Sequence, residues 1–314
     1  MAPTSSTLQQ SAQAQFVTRL SWLPWWLLLI LFFGVFLFYK ILTDELYSFI
    51  LSKLKQGILI TLFVTLIGFS VAIVIGLIAG IGRVSKNPII FNLATLYVQI
   101  IRGVPILVQI FYITFVITPI FFSTLNWAGH ALVGPLHLQP VLDQIAKADD
   151  AQVTALLSNL NVLDRGVVFL TLVNTQSISF LTRVIIALAI AYGGFEAETF
   201  RAGIESIGRG QMEAARSLGM SYVQAMRHII LPQAVRRVLP PLGNDFISML
   251  KDSSLVSVLG VRDVTQEARL YVAASFRYPE TYNTLAFVYL SMTILLSLGV
   301  KWLESRWGEH GRSE

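Results

Sequence analysis

Asn244, Ser248 and Asp252 recur every four residues, and Asp245 stands seven before Asp252. On a helix both spacings return to one face, so these side chains form a polar stripe in an apolar stretch of about Leu239 to Val261. A ligand carrying both an ammonium and a carboxylate needs an acceptor for the first and donors for the second. The stripe, with Lys251 or Arg102 beside it, holds both kinds of group. A structural pair between Lys251 and Asp252 near the end of the stretch accounts for the same residues, and the two readings stand side by side. Arg102 has its own alternative, a snorkelling or interhelical contact at the end of its apolar stretch. Glu198 and Arg201, at i and i+3, make a helix-end ion pair.

A second set of residues is suited to being gripped rather than to binding a small molecule. Glu205 to Pro232 is a polar, basic island between strongly apolar parts of the chain. Gln211 to Leu218 has helical composition, and Gly219 stands where a helix C-terminus needs a residue tolerant of the left-handed conformation. Ser221 and Gln224 have the spacing of a capping box, so two short helices joined at a glycine are expected. Other chemistry is excluded by what the chain lacks. His130, His137, His228 and His310 have no paired spacing and cysteine is absent, so neither a metal site nor a disulfide framework is expected. No GxxxxGK[ST] segment is present, so ATP is not bound in the P-loop manner by this chain itself. No catalytic constellation and no cofactor are expected.

The elements that must carry these residues are membrane helices. With 314 residues, 54% of them hydrophobic and 13% charged, and a mean hydropathy of +0.66, the chain has too little polar surface to enclose a soluble core. Its continuous apolar runs predict an all-α membrane protein with about six spans rather than an alternating barrel. The expected spans are about Leu23 to Leu42, Gly57 to Gly82, Phe91 to Phe122 with a bend near Gly103 to Pro105, Ser179 to Gly203, Leu239 to Val261, and Tyr282 to Leu303. Gly68, Gly76 and Gly80 in the second span recur at helical spacings, which predicts close helix contact. Residues 1–22 read as a disordered tail, 23–56 as an extra anchor and loop, and 307–314 as a short tail. Residues 123–178 read as an amphipathic helical insertion on the outer side.

Charge decides the orientation. Placing 1–22, 83–90, 201–238 and 301–314 in the cytoplasm puts twelve Lys and Arg inside against seven in the opposite loops, so both termini are expected in the cytoplasm. The net charge of +5 is explained by that topology, and no nucleic acid partner is expected.

The island also carries a family resemblance. Glu213-Ala214-Ala215, three residues, Gly219, nine residues, Ile229, one residue and Leu231-Pro232 together resemble the EAA loop of the membrane subunits of ATP-binding-cassette importers. The resemblance extends over about Gly57 to Arg306. Ala191-Tyr192, the run from Glu198 to Gly203, the run from Gly210 to Ala215 and the run from Leu231 to Asn244 are similar to permeases for polar amino acids. Arg102 to Gln109 is similar to that subfamily's arginine-glycine-threonine-proline segment, with Val104 in place of threonine.

The resemblance implies a type I importer permease core in a bacterial cytoplasmic (inner) membrane, surrounded by lipid and not itself an enzyme. Its implied partners are a cytoplasmic ATPase dimer that binds the ATP, a second permease subunit, identical or homologous, and an extracytoplasmic amino-acid-binding protein. Glu213, Ala214, Ala215, Gly219 and Pro232 would dock the ATPase. Arg102, Asn244, Asp245, Ser248, Lys251 and Asp252 would line the path of a polar amino acid. The first span and the 123–178 insertion depart from the compact subfamily pattern. An ion-gradient-driven amino acid transporter or channel is the alternative, opposed by the docking loop and by the lack of an inverted repeat.

Overall fold

A computed structural model describes residues 25–308. The expected tail at 1–22 and most of the tail at 307–314 lie outside the described residues. Among those residues every element is helical.

Two compact units are formed, residues 25–56 with 267–292, and residues 57–266 with 293–308. The smaller contains α1 (Trp25–Thr43) and the first part of the long helix α2 (Glu45–Arg83). It also takes most of α13 (Val264–Ser275) and the first half of α14 (Tyr278–Gly308). Its interior is apolar, with Leu37, Ile50 and Leu54 fully enclosed. Ring pairs Phe38–Phe287 and Phe49–Tyr271 have centroids 6.5 and 6.2 Å apart. The extra N-terminal span expected at Leu23 to Leu42 is therefore a real helix.

The larger unit carries the candidate sites. After α2 come α3 (Pro88–Gly103), α4 (Ile106–Tyr112) and α5 (Thr118–Val133). Asn87 caps α3 by accepting from the backbone N–H groups of Ile89 and Ile90, with Pro88 set where its missing N–H does no harm. The expected bend is present, since helix α3 stops at Gly103 and Val104 and Pro105 are extended. Three short helices follow, α6 (Gln139–Ile145), α7 (Asp150–Ser158) and α8 (Val162–Leu172). The insertion thus differs from its expected limits, because α5 extends the third span to Val133 and the amphipathic part breaks into three pieces. Each break has a local cause: Asp149 and Gln152 form a capping box that restarts the chain at α7, and Asn161 caps α8.

Helix α9 (Phe180–Glu205) leads to α10 (Arg209–Ser217), α11 (Tyr222–Ala225) and α12 (Leu231–Asp252). Two wide π-type turns, Ile113–Ile117 and Met226–Ile230, are each followed within two residues by a proline, Pro119 and Pro232. A proline ring crowds the carbonyl four residues back and offers no N–H, and a local widening of the helix relieves both problems.

Five helical stretches are long and apolar enough to cross a bilayer: Trp25–Thr43, Glu45–Arg83, Ile106–Val133, Phe180–Glu205 and Tyr278–Arg306. Helix α12, the expected fifth span, is helical but holds Arg236, Arg237, Asn244, Asp245, Lys251 and Asp252, which lower its hydropathy. Its second half also differs from expectation, tightening after Asp252 into 3-10 turns over Ser253–Leu259. Helix α12 buries Val238, Leu242 and Met249 in the same core as Val184, Leu188 and Phe200 of α9.

Glycines set how closely α2 approaches these helices. A Cβ on Gly76 would come within 2.3 Å of Glu196 Cβ, and one on Gly80 within 2.8 Å of Phe200 Cβ, so α2 and α9 touch through backbone. Gly68 instead faces the Cε tip of the Met249 side chain on α12. The glycine spacing noted in the sequence is a helix-contact face.

Candidate functional site

Three groups of polar side chains stand out in the larger unit. The first is the hairpin of α10 and α11. Gly219 has φ +86°, the left-handed region that favours glycine, and it turns the chain after α10. Ser221 then accepts from Gln224 N–H while the Gln224 side chain accepts from Ser221 N–H, the reciprocal cap expected from the sequence. Helix α11 does not remain short, because it runs through the π-type turn into α12.

Glu213 and Ala214 are exposed, but Ala215 is buried. Only one of the two alanines is therefore available to a partner. The other packs on the hairpin's own side because adjacent helical positions face about 100° apart. Pro232 lies beyond the hairpin in the first turn of α12, where it shapes that helix rather than the tip. The sequence reading missed Leu218 and Val223, which are 81% and 70% exposed on either side of Gly219. Beneath the hairpin, Ile204, Ile207, Met226 and Ile230 form a separate apolar cluster that anchors it.

The second group is centred on Glu198. Arg83 at the end of α2 and Arg201 on the next turn of α9 both pair with its carboxylate, and Arg201 also pairs with Glu205. Arg102 of α3 approaches the same carboxylate at 3.6 Å with its side chain 49% exposed. The interhelical alternative for Arg102 is thus the one observed: it joins α3 to α9 and not to the stripe on α12. Glu198 and Arg201 form the i, i+3 pair read from the sequence. Arg83 was not singled out, since its partner is 115 residues away.

The third group lies between α9 and α12. Tyr192 Oη donates to Asp252 Oδ2 at 2.7 Å, and Thr199 Oγ1 donates to Asp245 Oδ2 at 3.5 Å. These two contacts set the helices antiparallel, with residues 192 to 199 running past 252 to 245. Glu196 stands between the two contacts on α9. It is completely buried, and among the described residues neither carboxylate oxygen has a hydrogen-bond partner.

The stripe of the sequence is therefore split. Asp245 and Asp252 turn to α9, whereas Asn244 is exposed and Ser248 Oγ only donates to the Asn244 carbonyl at 3.0 Å. Lys251 is exposed, and among the described residues it forms no ion pair with Asp252. Neighbouring positions on a helix point about 100° apart, so the two side chains diverge here. Glu196 was not identified from the sequence, although Tyr192, Glu196 and Thr199 at i, i+4 and i+7 form a polar face that periodicity reveals once α9 is known to be helical. Among the described residues no three His, Asp or Glu side chains are placed to hold a metal ion.

A helical bundle with several apolar crossings, a hydrogen-bonded polar seam inside it and a basic hairpin at one end defines a multi-pass membrane transport subunit. Residues 72–309 match the family described as "Binding-protein-dependent transport system inner membrane component". The chain belongs to that family.

Its relatives include a probable amino-acid permease protein, YxeN, of Bacillus subtilis, 32% identical over 78% of this chain and 87% of the relative. The glutamine transport system permease protein GlnP of Escherichia coli K12 is 30% identical, over 81% and 92%. A solved structure described as an amino acid ABC transporter with histidines aligns at a TM-score of 0.58 and 30% identity, over 81% of this chain and 94% of that one. The MetNI methionine transporter aligns at a TM-score of 0.56 with 16% identity and is alike in fold. The type I importer permease fold expected from the sequence is the fold observed.

Proposed function

We propose that the chain is the membrane-spanning subunit of an ATP-binding-cassette importer for polar amino acids, with both termini in the cytoplasm. It pairs with a second permease subunit, docks a separate pair of ATPases and receives its substrate from an extracytoplasmic binding protein. The observation that carries this reading is the α10–Gly219–α11 hairpin, in which Leu218 and Val223 protrude beside Glu213 and Ala214. Apolar side chains this exposed on a basic, membrane-adjacent loop suit a protein partner, because burying them is favourable while the charged surroundings fix the register.

On this reading closure of the ATPase pair moves the hairpins, and the core that anchors them transmits the movement to α9 and α12. Asp245 and Asp252 accept from the substrate ammonium when that seam opens. The alternative, an ion-gradient-driven transporter or channel, leaves the hairpin without a task.

The test is amino acid uptake by cells co-expressing the transporter subunits, with the amount of inserted permease measured in the same membranes. Glu213→Lys should reverse the docking charge, and Gly219→Pro demands a φ near −65° where the chain has +86°. Both variants are expected to insert normally and to lose at least about tenfold in uptake. Wild-type uptake in either variant, or uptake that persists after ATP depletion and follows an ion gradient, would favour the alternative.

A further inference from the structure

Helix α9 carries two arginines, Arg183 in its first turn and Arg201 close to its other end. Their separation along the helix axis is roughly 27 Å, close to the thickness of about 30 Å of a bilayer's hydrocarbon core. One guanidinium therefore stands at each edge of the apolar layer. Arg201 is neutralised by Glu198 and Glu205. Arg183 forms no ion pair among the described residues, and its Nε is buried without a hydrogen-bond partner. Its guanidinium lies 5.3 Å from the centroid of the Phe180 ring, a contact that occupies one face and leaves the edge, with its N–H donors, for an anion.

A cleft of about 470 Å³ opens between α3, α4 and α9. Its walls include Ile100 of α3, Val104 at the break, Val108 of α4, Ile117 of the π-type turn and Ile190 of α9. Two polar residues in those walls are occupied with backbone: Tyr97 Oη donates to the Ile190 carbonyl at 2.7 Å, and Gln109 Nε2 to the carbonyls of Ile101 and Val104 at 2.6 and 2.5 Å. Ile100, Val108 and Ile117 are each exposed, so the cleft opens to the outside of the bundle at the depth of the apolar crossings.

Arg183 and Ile190 are seven residues apart and share one face of α9. Phe115, two residues before Ile117, has its ring 6.0 Å from that of Phe180, which places the guanidinium at the Ile117 end of the cleft. Tyr192 and Thr199, which contact α12, lie on the opposite side of α9.

We propose that the cleft and Arg183 together bind an anionic phospholipid, with an acyl chain in the cleft and the phosphate on the guanidinium. Only the naming of its leaflet, the outer one, rests on the topology proposed above.

A polar amino acid or water in such a cleft would leave hydrogen bonds unmade, whereas a hydrocarbon chain fills it without that cost. Arginines at the hydrocarbon edge extend towards lipid phosphates in general. Arg183 differs in having beneath it a cleft for the chain of the same molecule. The distance from Arg183 to Ile190 is roughly 10 Å along the axis, so one lipid reaches both. A net negative headgroup is preferred because no carboxylate shares the charge of this guanidinium.

The experiment follows the thermal midpoint of the purified full-length chain with its co-expressed ATPase in detergent, as dioleoyl phosphatidylglycerol, dioleoyl phosphatidylcholine or inorganic phosphate is added. Phosphatidylglycerol is expected to raise the midpoint at a concentration at least about fivefold lower than phosphatidylcholine, and phosphate alone to leave it unchanged. Arg183→Gln should erase the difference between the two lipids. Ile117→Trp, which puts a ring into the cleft from an exposed position, should weaken the response to both by about tenfold.

Equal responses to the two lipids in wild type, or a difference that survives in Arg183→Gln, overturns the proposal. A midpoint raised equally by inorganic phosphate makes Arg183 a site for free anions, and an unaltered response in Ile117→Trp makes it an arginine that touches any neighbouring headgroup; either result rejects the lipid site. If Arg183→Gln is not recovered folded, the wild-type comparison and Ile117→Trp decide by themselves.

Discussion

Glu198 and Glu196 stand two residues apart on α9, which turns their side chains about 200° from one another. That rotation gives them opposite surroundings. Glu198 meets Arg83, Arg102 and Arg201, gathered from three helices at the end of the bundle that leads into the hairpin. Glu196 meets the glycine face of α2 and lies within electrostatic reach of Asp245 on α12, and among the described residues its carboxylate oxygens have no hydrogen-bond partner. The first carboxylate is a fastener, since its charge is neutralised within the fold and it ties α2, α3 and α9 together. The second has no countercharge among the described residues. Asp263 shows a third solution: it is fully buried at the start of α13, outside the apolar crossings, and accepts from the Gln266 backbone N–H at 2.8 Å.

The strongest way to break this comparison is to remove the fastener. Glu198→Ala leaves Arg83 partly buried without its carboxylate and Arg201 with Glu205 alone, and should lower stability by about 3 kcal/mol, as losing one partner of a buried pair does. A thermal unfolding midpoint in detergent reads this directly. A loss below about 0.5 kcal/mol would mean that water solvates the arginines as at an open surface. The sign should be opposite to that of Glu196→Gln, and two changes of equal sign would erase the distinction.

Asp263 sharpens the comparison through pH. Burial pushes its carboxyl up to about 6, against the opposing effect of the backbone groups that hold it. Because the folded value is raised, the protonated form is the one the fold favours. The stabilising contribution is complete below the unfolded carboxylate range and is lost as pH rises through about 6. Asp263→Asn keeps a capping side chain and removes the titration. The variant should therefore gain roughly 2 to 3 kcal/mol over wild type between pH 4 and pH 7, seen as diverging midpoints across that range. Parallel midpoints would show that the carboxyl titrates as an exposed one.

The smallest effect is expected at the seam itself. Tyr192→Phe removes the donor to Asp252 and should cost about 1 kcal/mol in the midpoint. An unchanged midpoint would mean that water replaces the tyrosine donor at Asp252.

Much of the molecule could be read along the chain because its causes are local. Continuous apolar runs force helices, the sequence Arg102-Gly103-Val104-Pro105 forces the break between α3 and α4, Gly219 forces the turn, and Ser221 with Gln224 forces the next helix start. The polar stripe was legible as a period on α12 and the EAA loop as a spacing. The facing of each side chain was not. Whether Asp252 meets Lys251 or Tyr192, whether Ala215 points outward with Ala214, and whether Arg102 belongs to the stripe or to Glu198 all depend on which helix lies alongside. That is set by the packing of residues far apart in the chain, such as Gly76 against Glu196, Arg83 against Glu198 and Tyr192 against Asp252. Glu196 was hidden for the same reason. Its sequence neighbours make it one charge among several at the end of an apolar span, and only the close approach of α2 and the register of α9 on α12 turn it into a buried carboxylate with no partner.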